Sequence, residues 1–231
     1  AQPAVPYLAL AGSRLYFTTW NPGSVRSVDI APPASVPFEE VALDGSGFGM
    51  QLIDDQVLYV DFYDGLFSID PAEAPNPTLR VSHPNIRHFL FTQSDIVFTS
   101  AGSAVKRYVN NVIEDLTSAN DPWDIVQDEA YYYFSEQPGT LKRIDKTAAA
   151  GGPAIEMANG LGGGTRGLAL DDDYVYVVSG TDVVRVNKAP PFDTTFVATA
   201  ATGTQIAVDE KFIYWTNIGG GGSLMKIAKP L

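Results

Sequence analysis

The chain has 231 residues, no cysteine, two histidines and a formal net charge of −12. Without cysteine there can be no disulfide, thiol nucleophile or Cys-ligated zinc, and two histidines are too few for a His-rich metal centre. The acidic balance argues against nucleic acid and anionic membranes as partners, because phosphate neutralisation needs clustered Lys and Arg. With 45% apolar and 18% charged residues, the sequence predicts a folded globule.

The ends and the hydropathy of the chain suggest where the protein acts. No apolar run reaches the length of about 18 residues that a membrane span requires. The chain begins at Ala1 rather than Met, which favours a processed exported protein. We therefore expect a secreted, periplasmic or cell-surface location without a membrane span.

One phrase, an acidic turn followed by a short β-rich run with an aromatic residue, recurs six times along the chain. Its clearest copies are Asp128–Phe134, Asp171–Val177 and Asp209–Trp215. The aromatic anchors of the six copies lie about 40 residues apart: Tyr16, Tyr59, Phe98, Tyr133, Tyr176 and Tyr214. A small apolar run precedes each anchor, and a run with period-two alternation follows it. After a Pro- or Gly-rich break, a further short run follows in most copies, which makes four strands per unit.

Four antiparallel strands per unit, six times over and without a convincing helix, predict an all-β, six-bladed β-propeller. We expect one domain over residues 1–231. Its units would span approximately 7–46, 48–84, 86–120, 122–160, 165–202 and 203–231. A two-sheet sandwich is the alternative, but it has no reason to repeat the same turn and aromatic strand at a fixed period.

The segment Asp209-Glu-Lys-Phe-Ile-Tyr-Trp-Thr-Asn217, followed by Gly222–Ile227, resembles the repeat of the YWTD (low-density-lipoprotein-receptor-type) propellers and their bacterial relatives. The chain is also similar, at this level, to NHL-type and TolB-like propellers. The resemblance extends over the whole chain but is sharp in one unit. It implies a propeller fold and leaves the function open, because these families are mostly binding and scaffolding modules with a minority of lactonases and lyases.

The sixth unit ends at Leu231, before the outermost strand that unit five possesses. The N-terminal residues can replace only the tail of that strand, so we expect a sixth blade of three strands with an exposed backbone edge. A trimmed longer chain is one explanation. The other is that a partner strand, including one from a second copy, pairs with this edge.

If strands A to D run outward in each blade, the A–B turns share one face and carry ten of the 27 acidic residues. We expect these aspartates to accept local backbone N–H bonds in tight turns. A calcium site is the alternative, with Asp61 and Asp64, Asp44, or Asp171–Asp173 as candidates. No dedicated metal loop is present, so we predict no metal and no cofactor. Arg107, Arg143, Arg185 and Lys226 recur on the third strand, which predicts a structural role, either in inter-blade contacts or along a solvated edge.

The opposite face gathers the D–A and B–C loops, where side chains would converge on a central channel. Its mixture of aromatic, basic, acidic and amide residues is more varied than the repeat requires, which is where function can be placed on a repetitive scaffold. The predicted ligand-binding residues are Tyr7, Trp20, Gln51, Tyr63, Arg87, His88, Trp123, Asp124, Glu136, Arg166, Gln205 and Asn217.

Catalysis needs a nucleophile with a base, a metal cage or a carboxylate pair. Neither His83 nor His88 lies near a nucleophile-elbow motif, so we predict no catalytic residue. The sequence therefore favours a non-catalytic binding or scaffold propeller for a protein, peptide or glycan. One alternative is a structural subunit that assembles through the edge of blade six. The other is a metal-assisted lactonase-like or lyase-like enzyme that uses Asp124, Glu136 and His88.

Overall fold

The computed structural model describes residues 7–19, 23–30, 38–42, 47–53, 56–61, 63–70, 77–92, 95–162, 164–218 and 222–230. Within these ranges the chain forms strands and turns and no helix. It divides into two compact units, Ala1–Gln93 and Ser94–Leu231.

The first unit consists of antiparallel strands joined by short turns. One four-stranded sheet has the order β1-β2-β3-β4 and a second has the order β5-β6-β7-β8, with β9 as the last strand of the unit. The strands are β1 (Leu8–Ala11), β2 (Arg14–Thr19), β3 (Ser24–Asp29), β4 (Phe38–Ala42), β5 (Gly47–Ile53), β6 (Gln56–Asp61), β7 (Gly65–Ile69), β8 (Thr78–Ser82) and β9 (Ile86–Phe91).

The second unit continues the same pattern. Strands β10, β11 and β12 are antiparallel neighbours, β13 to β16 form a four-stranded sheet, and β17 to β21 form a five-stranded sheet. The strands are β10 (Ile96–Ser100), β11 (Ala104–Val109), β12 (Val112–Ser118), β13 (Pro122–Gln127), β14 (Tyr131–Glu136), β15 (Thr140–Asp145), β16 (Ile155–Ala158), β17 (Thr165–Leu170), β18 (Tyr174–Asn187), β19 (Thr194–Val208), β20 (Phe212–Asn217) and β21 (Ser223–Ala228).

The recurring aromatic anchors contribute to the core. Five of them are at most 1% exposed: Tyr16, Tyr59, Phe98, Tyr133 and Tyr176. Each lies on the second strand of its repeat, where alternation turns one side chain in two towards a neighbouring sheet. Fully burying a side chain such as Phe98 contributes about 1.5–3 kcal/mol. The sixth anchor, Tyr214, is only partly buried.

The long strand β18 folds back on itself. The backbone N–H of Lys188 donates to the carbonyl of Asp173 at 2.9 Å, although a straight strand of 14 residues would hold its ends about 45 Å apart. The turn lies at Gly180, whose φ is 55°. Equivalent bonds join Lys146 to Ala130 and Lys229 to Lys211, so β18 contains the same hairpin as the other repeats.

Candidate functional site

Six of the predicted ligand-binding residues lie in the first unit, and five of them are among the described residues. Tyr7 stacks on His88 with ring centroids 5.7 Å apart, and Phe48 lies 6.5 Å from Tyr7 in a tilted arrangement. Gln51 donates from Nε2 to the carbonyl of Phe89 at 2.9 Å. These contacts join different sheets of the unit, because Tyr7 precedes β1, Gln51 lies in β5 and both His88 and Phe89 lie in β9.

Tyr63 and Arg87 differ in their accessibility. Tyr63 is 62% exposed in the turn before β7. Arg87 is partly buried in β9. Trp20, the remaining candidate in this half of the chain, lies outside the described residues.

Four predicted residues of the second unit come together around the start of β13. The guanidinium of Arg166 lies over the ring of Trp123 at 5.4 Å, a cation–π contact that holds both side chains partly exposed. Glu136, opposite Pro122 in the register, is buried and pairs with Lys142 at 2.5 Å. Its other oxygen accepts from the backbone N–H of Asn120 at 2.8 Å.

Asp124 is 4% exposed and fully engaged by the backbone. Its Oδ1 accepts from the N–H of Ile125 at 2.8 Å and its Oδ2 from the N–H of Leu168 at 2.7 Å. Leu168 lies in β17, in the next sheet. A buried carboxylate requires hydrogen-bond partners such as these two N–H groups, and through them Asp124 joins two sheets.

Gln205 and Asn217 lie near each other on β19 and β20. Asn217 is 8% exposed, and its Nδ2 donates to Ser223 Oγ at 3.2 Å. Among the described residues, the carbonyl oxygen of its side chain has no hydrogen-bond partner. The backbone N–H of Gln205 donates to Thr216 Oγ1 at 3.3 Å.

The acidic turns have the structure that the sequence predicts. In the turn at Asp128, Oδ1 accepts from the N–H groups of Ala130 at 3.0 Å and Tyr131 at 2.9 Å, and Oδ2 accepts from the hydroxyl of Tyr133 at 2.8 Å. Asp171 and Asp209 make the same three types of bond with the residues two, three and five positions later. The expected local role of these aspartates is confirmed.

Two of these carboxylates also bind a lysine from the following repeat. Lys188 lies 3.0 Å from Asp128 Oδ2, and Lys229 lies 2.6 Å from Asp171 Oδ2. The recurring arginines complete the contact, because Arg143 donates to the carbonyl of Lys188 and Arg185 to the carbonyl of Pro230. Of the two roles predicted for the recurring arginines, inter-blade contact is therefore confirmed for these two.

The pKa values of these groups follow from their contacts. Burial by itself raises the pKa of Asp128, but the Lys188 ammonium and the hydrogen bonds from Tyr131, Tyr133 and Ala130 outweigh it and lower the pKa to about 2. The pKa of Asp171 is lowered in the same way, against burial, chiefly by Lys229. Burial and the neighbouring aspartate raise the pKa of Tyr133 and of Tyr176. These tyrosines therefore remain protonated donors.

Two cavities lie along the acidic turns of the second unit. One, of about 400 Å³, is lined by Asp171–Asp173, Asp209, Glu210 and Lys229, among others. The other, of about 450 Å³, lies beside Asp128, Arg143 and Lys188.

The calcium candidates do not form a cluster in the part of the chain that the structure describes. No three His, Asp or Glu side chains come together there as a metal site. Asp171 is bound by Lys229 and Tyr176 instead. Asp44 and the side chain of Asp61 lie outside what is described.

No helix among the described residues has the length and apolar character to cross a membrane.

The inter-repeat lysines were missed by our reading of the sequence, although a signal was present. Lys146, Lys188 and Lys229 each follow the third strand of a repeat by one or two residues. Their recurrence could have paired them with the recurring aspartates. Lys142, the partner of Glu136, has a sequence counterpart in Lys106 of the preceding repeat.

Solved structures resemble this chain over almost its whole length. The WD40 β-propeller domain of Doa1 matches with a TM-score of 0.69 and 13% identity over 99% of this chain and 83% of that one. The structure of a nidogen/laminin complex gives a TM-score of 0.70 and 13% identity over 93% and 88% of the two chains. Streptogramin B lyase gives 0.70 and 13% over 98% and 83%.

No family model and no curated protein matches the chain. At such low identity the solved structures establish the fold, and the fold is an all-β propeller of antiparallel sheets. The class includes binding proteins and enzymes, so the function must be argued from the site.

Proposed function

We propose that the chain is one domain, a propeller of six blades, of which the sixth has three strands. The hairpin within β18 supports this proposal, since its two limbs supply the second and third strands of a fifth blade. The first part of β19 pairs with β18 and the last part with β20. The five-stranded sheet thus divides into a four-stranded blade and a blade made of the end of β19, β20 and β21. The Asp209–Trp215 motif in this last blade supports a relationship to the YWTD-type propellers.

We infer that the protein is a non-catalytic binding or scaffold module for a protein, peptide or glycan. The observation that carries this proposal is that both candidate catalytic carboxylates are bonded to other groups of the protein. Asp124 has each oxygen bonded to a backbone N–H, and Glu136 is held by Lys142 and Asn120. A general base must lie within reach of a proton on the substrate, whereas both of these carboxylates are buried and bonded to groups of the fold.

The predicted loop face offers groups that suit recognition. Trp123 with Arg166, and Tyr63 in the first unit, combine apolar area with hydrogen-bond donors, a composition that is enriched at protein interfaces. The nidogen/laminin structure is a complex between proteins, which supports a protein partner. The acidic composition is compatible with the exported location that we propose.

Peptide and glycan arrays probed with the labelled protein test this function. We expect binding to a defined probe, and the double variant Arg87→Ala with Arg166→Ala should weaken it about tenfold or more if these residues are central. The control pair Arg80→Ala with Lys211→Ala removes the same charge elsewhere and should bind like wild type. A screen of lactones and esters, with and without calcium, accompanies the arrays. Turnover that Asp124→Asn abolishes, or arrays without any hit, would contradict the proposal.

A second candidate function is that of a structural subunit that assembles through the edge of β21. The observation that favours it is the exposure of this strand: Leu224 is 72% and Met225 39% exposed. The third strands of the other repeats, such as β7 and β15, contain fully buried residues. A strand added beside β21 would pair its outer backbone groups and cover these side chains.

A further inference from the structure

Two of the acidic turns bind the ammonium group of a lysine in the same way. Asp128 and Tyr133 hold Lys188, whose Nζ lies 3.0 Å from the carboxylate and 5.5 Å from the centre of the tyrosine ring. Asp171 and Tyr176 hold Lys229 at 2.6 Å and 5.5 Å. The lysine side chains are only 13% and 16% exposed. A carboxylate beside an aromatic face is thus this fold's means of binding a lysine.

A second group at each site binds the backbone beside that lysine. Arg143 Nη1 donates to the carbonyl of Lys188 at 2.8 Å, and Arg185 Nη1 to the carbonyl of Pro230 at 2.9 Å. The bound segments are Lys-Ala-Pro at 188–190 and Lys-Pro at 229–230. Each site therefore recognises a lysine in a short segment that continues into proline.

The turn at Asp209 repeats the acceptor half of this arrangement. Its Oδ1 accepts from the N–H groups of Lys211 and Phe212 at 2.7 Å each, and its Oδ2 accepts from the hydroxyl of Tyr214 at 2.8 Å. Lys226 occupies the place of the arginine, with Nζ 3.6 Å from the centre of the Phe212 ring, as Arg143 lies over Tyr131.

Accessibility separates this third copy from the other two. Asp209 is exposed and Tyr214 partly exposed, whereas Tyr133 and Tyr176 are 1% exposed. Within the described ranges, no Lys or Arg side chain forms a salt bridge with Asp209. The residue types and their five-residue spacing are the same as in the two copies that bind a lysine.

We propose that Asp209, Tyr214 and Lys226 form a binding site for a lysine side chain of a partner protein, carried in a proline-flanked segment like 188–190 and 229–230. Asp209 Oδ2 would accept from the ammonium, the Tyr214 ring would lie beside it, and Lys226 would donate to a carbonyl of the segment. The adjacent carboxylates of Asp172, Asp173 and Glu210, which line the cavity of about 400 Å³, favour the approach of a cation. This site lies on the acidic turns and is separate from the loop face proposed above.

The test uses an acetylated and amidated peptide, Val-Asn-Lys-Ala-Pro-Pro, which copies residues 186–191. It is titrated into the ¹⁵N-labelled protein and followed by NMR. We expect the amide resonances of Lys211 and Phe212 to shift, because both N–H groups bond to Asp209. The same peptide with norleucine in place of lysine should give no such shifts.

Matched variants separate a specific site from diffuse attraction. Asp209→Asn keeps one oxygen for the turn and should raise Kd about three- to fivefold, the scale of an exposed ion pair. Glu210→Gln removes the same charge from the next residue and should change Kd less than about twofold. Lys226→Ala removes a positive charge from the site. If the peptide is held only by diffuse attraction to negative charge, this variant should bind it more tightly. If Lys226 donates a hydrogen bond to a carbonyl of the peptide, the variant should bind it more weakly.

Weaker binding in both Asp209→Asn and Lys226→Ala, with Glu210→Gln unchanged, supports the proposal. The proposal is wrong if the norleucine peptide binds equally, if Lys226→Ala binds more tightly, or if Glu210→Gln has the effect of Asp209→Asn. Spermidine is titrated in parallel, and a Kd as low as that of the peptide would assign the site to free polyamines instead. If Asp209→Asn fails to fold, Lys226→Ala still tests the proposal, because Lys226 lies outside the turn.

Discussion

Asp128 combines the interactions that recur at the acidic turns. Its carboxylate caps the turn through Ala130 and Tyr131, binds the hydroxyl of Tyr133 and pairs with Lys188. These contacts favour the charged form more than burial opposes it, so the pKa of Asp128 is lowered to about 2 from 3.8. A carboxyl group with a lowered folded-state pKa contributes stability above its unfolded-state value and loses it as the pH falls.

The first prediction concerns this pH dependence. Asp128→Asn should lower the free energy of unfolding at pH 7 by about 1 kcal/mol, because the ion pair is partly exposed and screened by water. The difference from wild type should shrink as the pH falls from about 4 to about 2, where wild-type Asp128 also becomes protonated. Urea unfolding at several pH values measures it. Asp172→Asn, an exposed acid on the same face, is the control. A difference that is equally large at pH 2 and pH 7 would contradict the argument.

Asp124 illustrates how a residue that suggests chemistry can serve the fold. From the sequence, an acid beside Trp123 in a varied loop suggests a binding or catalytic group. In the structure its two oxygens join β13 to the backbone of Leu168 in β17. A carboxylate with backbone partners in two sheets fixes their relative position, and this role depends on contacts 44 residues apart in the sequence.

At the level of strands, close backbone approaches limit what the hairpins tolerate. Gly139 precedes β15 with a φ of 141°, and a Cβ there would lie 2.8 Å from the carbonyl oxygen of Gly162. The N–H of Leu161 also donates to the carbonyl of Gly139 at 3.0 Å. Gly102 precedes β11 with the same φ of 141°, but no atom lies within 4 Å of its Cβ position. A comparison of Gly139 with Gly102 therefore distinguishes the cost of the positive φ from the cost of the steric contact.

The second prediction uses this pair. Gly139→Ala and Gly102→Ala should both be destabilised, each by about 1–3 kcal/mol for a non-glycine residue in this region of φ. Gly139→Ala should lose about 1 kcal/mol more, because the added methyl group forces the backbone at Gly162 away. Chemical unfolding of the two variants gives the difference. Equal losses would mean that the approach of Gly162 is readily relieved.

Over the whole molecule, the negative charge and the strand edges determine how the protein meets others. The acidic turns of the second unit bring five carboxylates around one cavity with Lys229. The edge of β21, by contrast, carries Leu224 and Met225 in exposed positions and the cation Lys226. These surfaces suit different partners, a basic segment and a β-strand.

The third prediction tests association through β21. If a second copy pairs with this edge, light scattering should show a dimer whose fraction rises with concentration. Leu224→Lys should leave the protein folded, because the side chain is 72% exposed, and should abolish the dimer, since charged side chains block edge pairing. Ile155→Lys, at a site on β16 that is 48% exposed, is the control and should associate like wild type. A wild-type protein that stays monomeric at every concentration would remove the support for assembly through β21.

The repeated sequence pattern was enough to predict the strands. The positions of the acidic turn, the aromatic anchor and the alternating run were enough to predict the all-β propeller, because local alternation and turn chemistry are written in neighbouring residues. The same period indicated that the recurring arginines contact the next repeat or line a solvated edge. The structure confirms the first of these roles for Arg143 and Arg185.

Only the tertiary structure decided which side chains remain available for binding. The backbone of Leu168 holds Asp124 and Lys188 pairs with Asp128, whereas Asp209 is exposed and Tyr214 partly exposed although they share the motif of Asp128 and Tyr133. The local sequence is the same for these turns, and what distinguishes Asp128 and Asp171 is the lysine of the following repeat that lies against each of them. A sequence pattern therefore specifies each strand and turn, but burial and pairing depend on residues about 40 positions or more away, which only packing brings together.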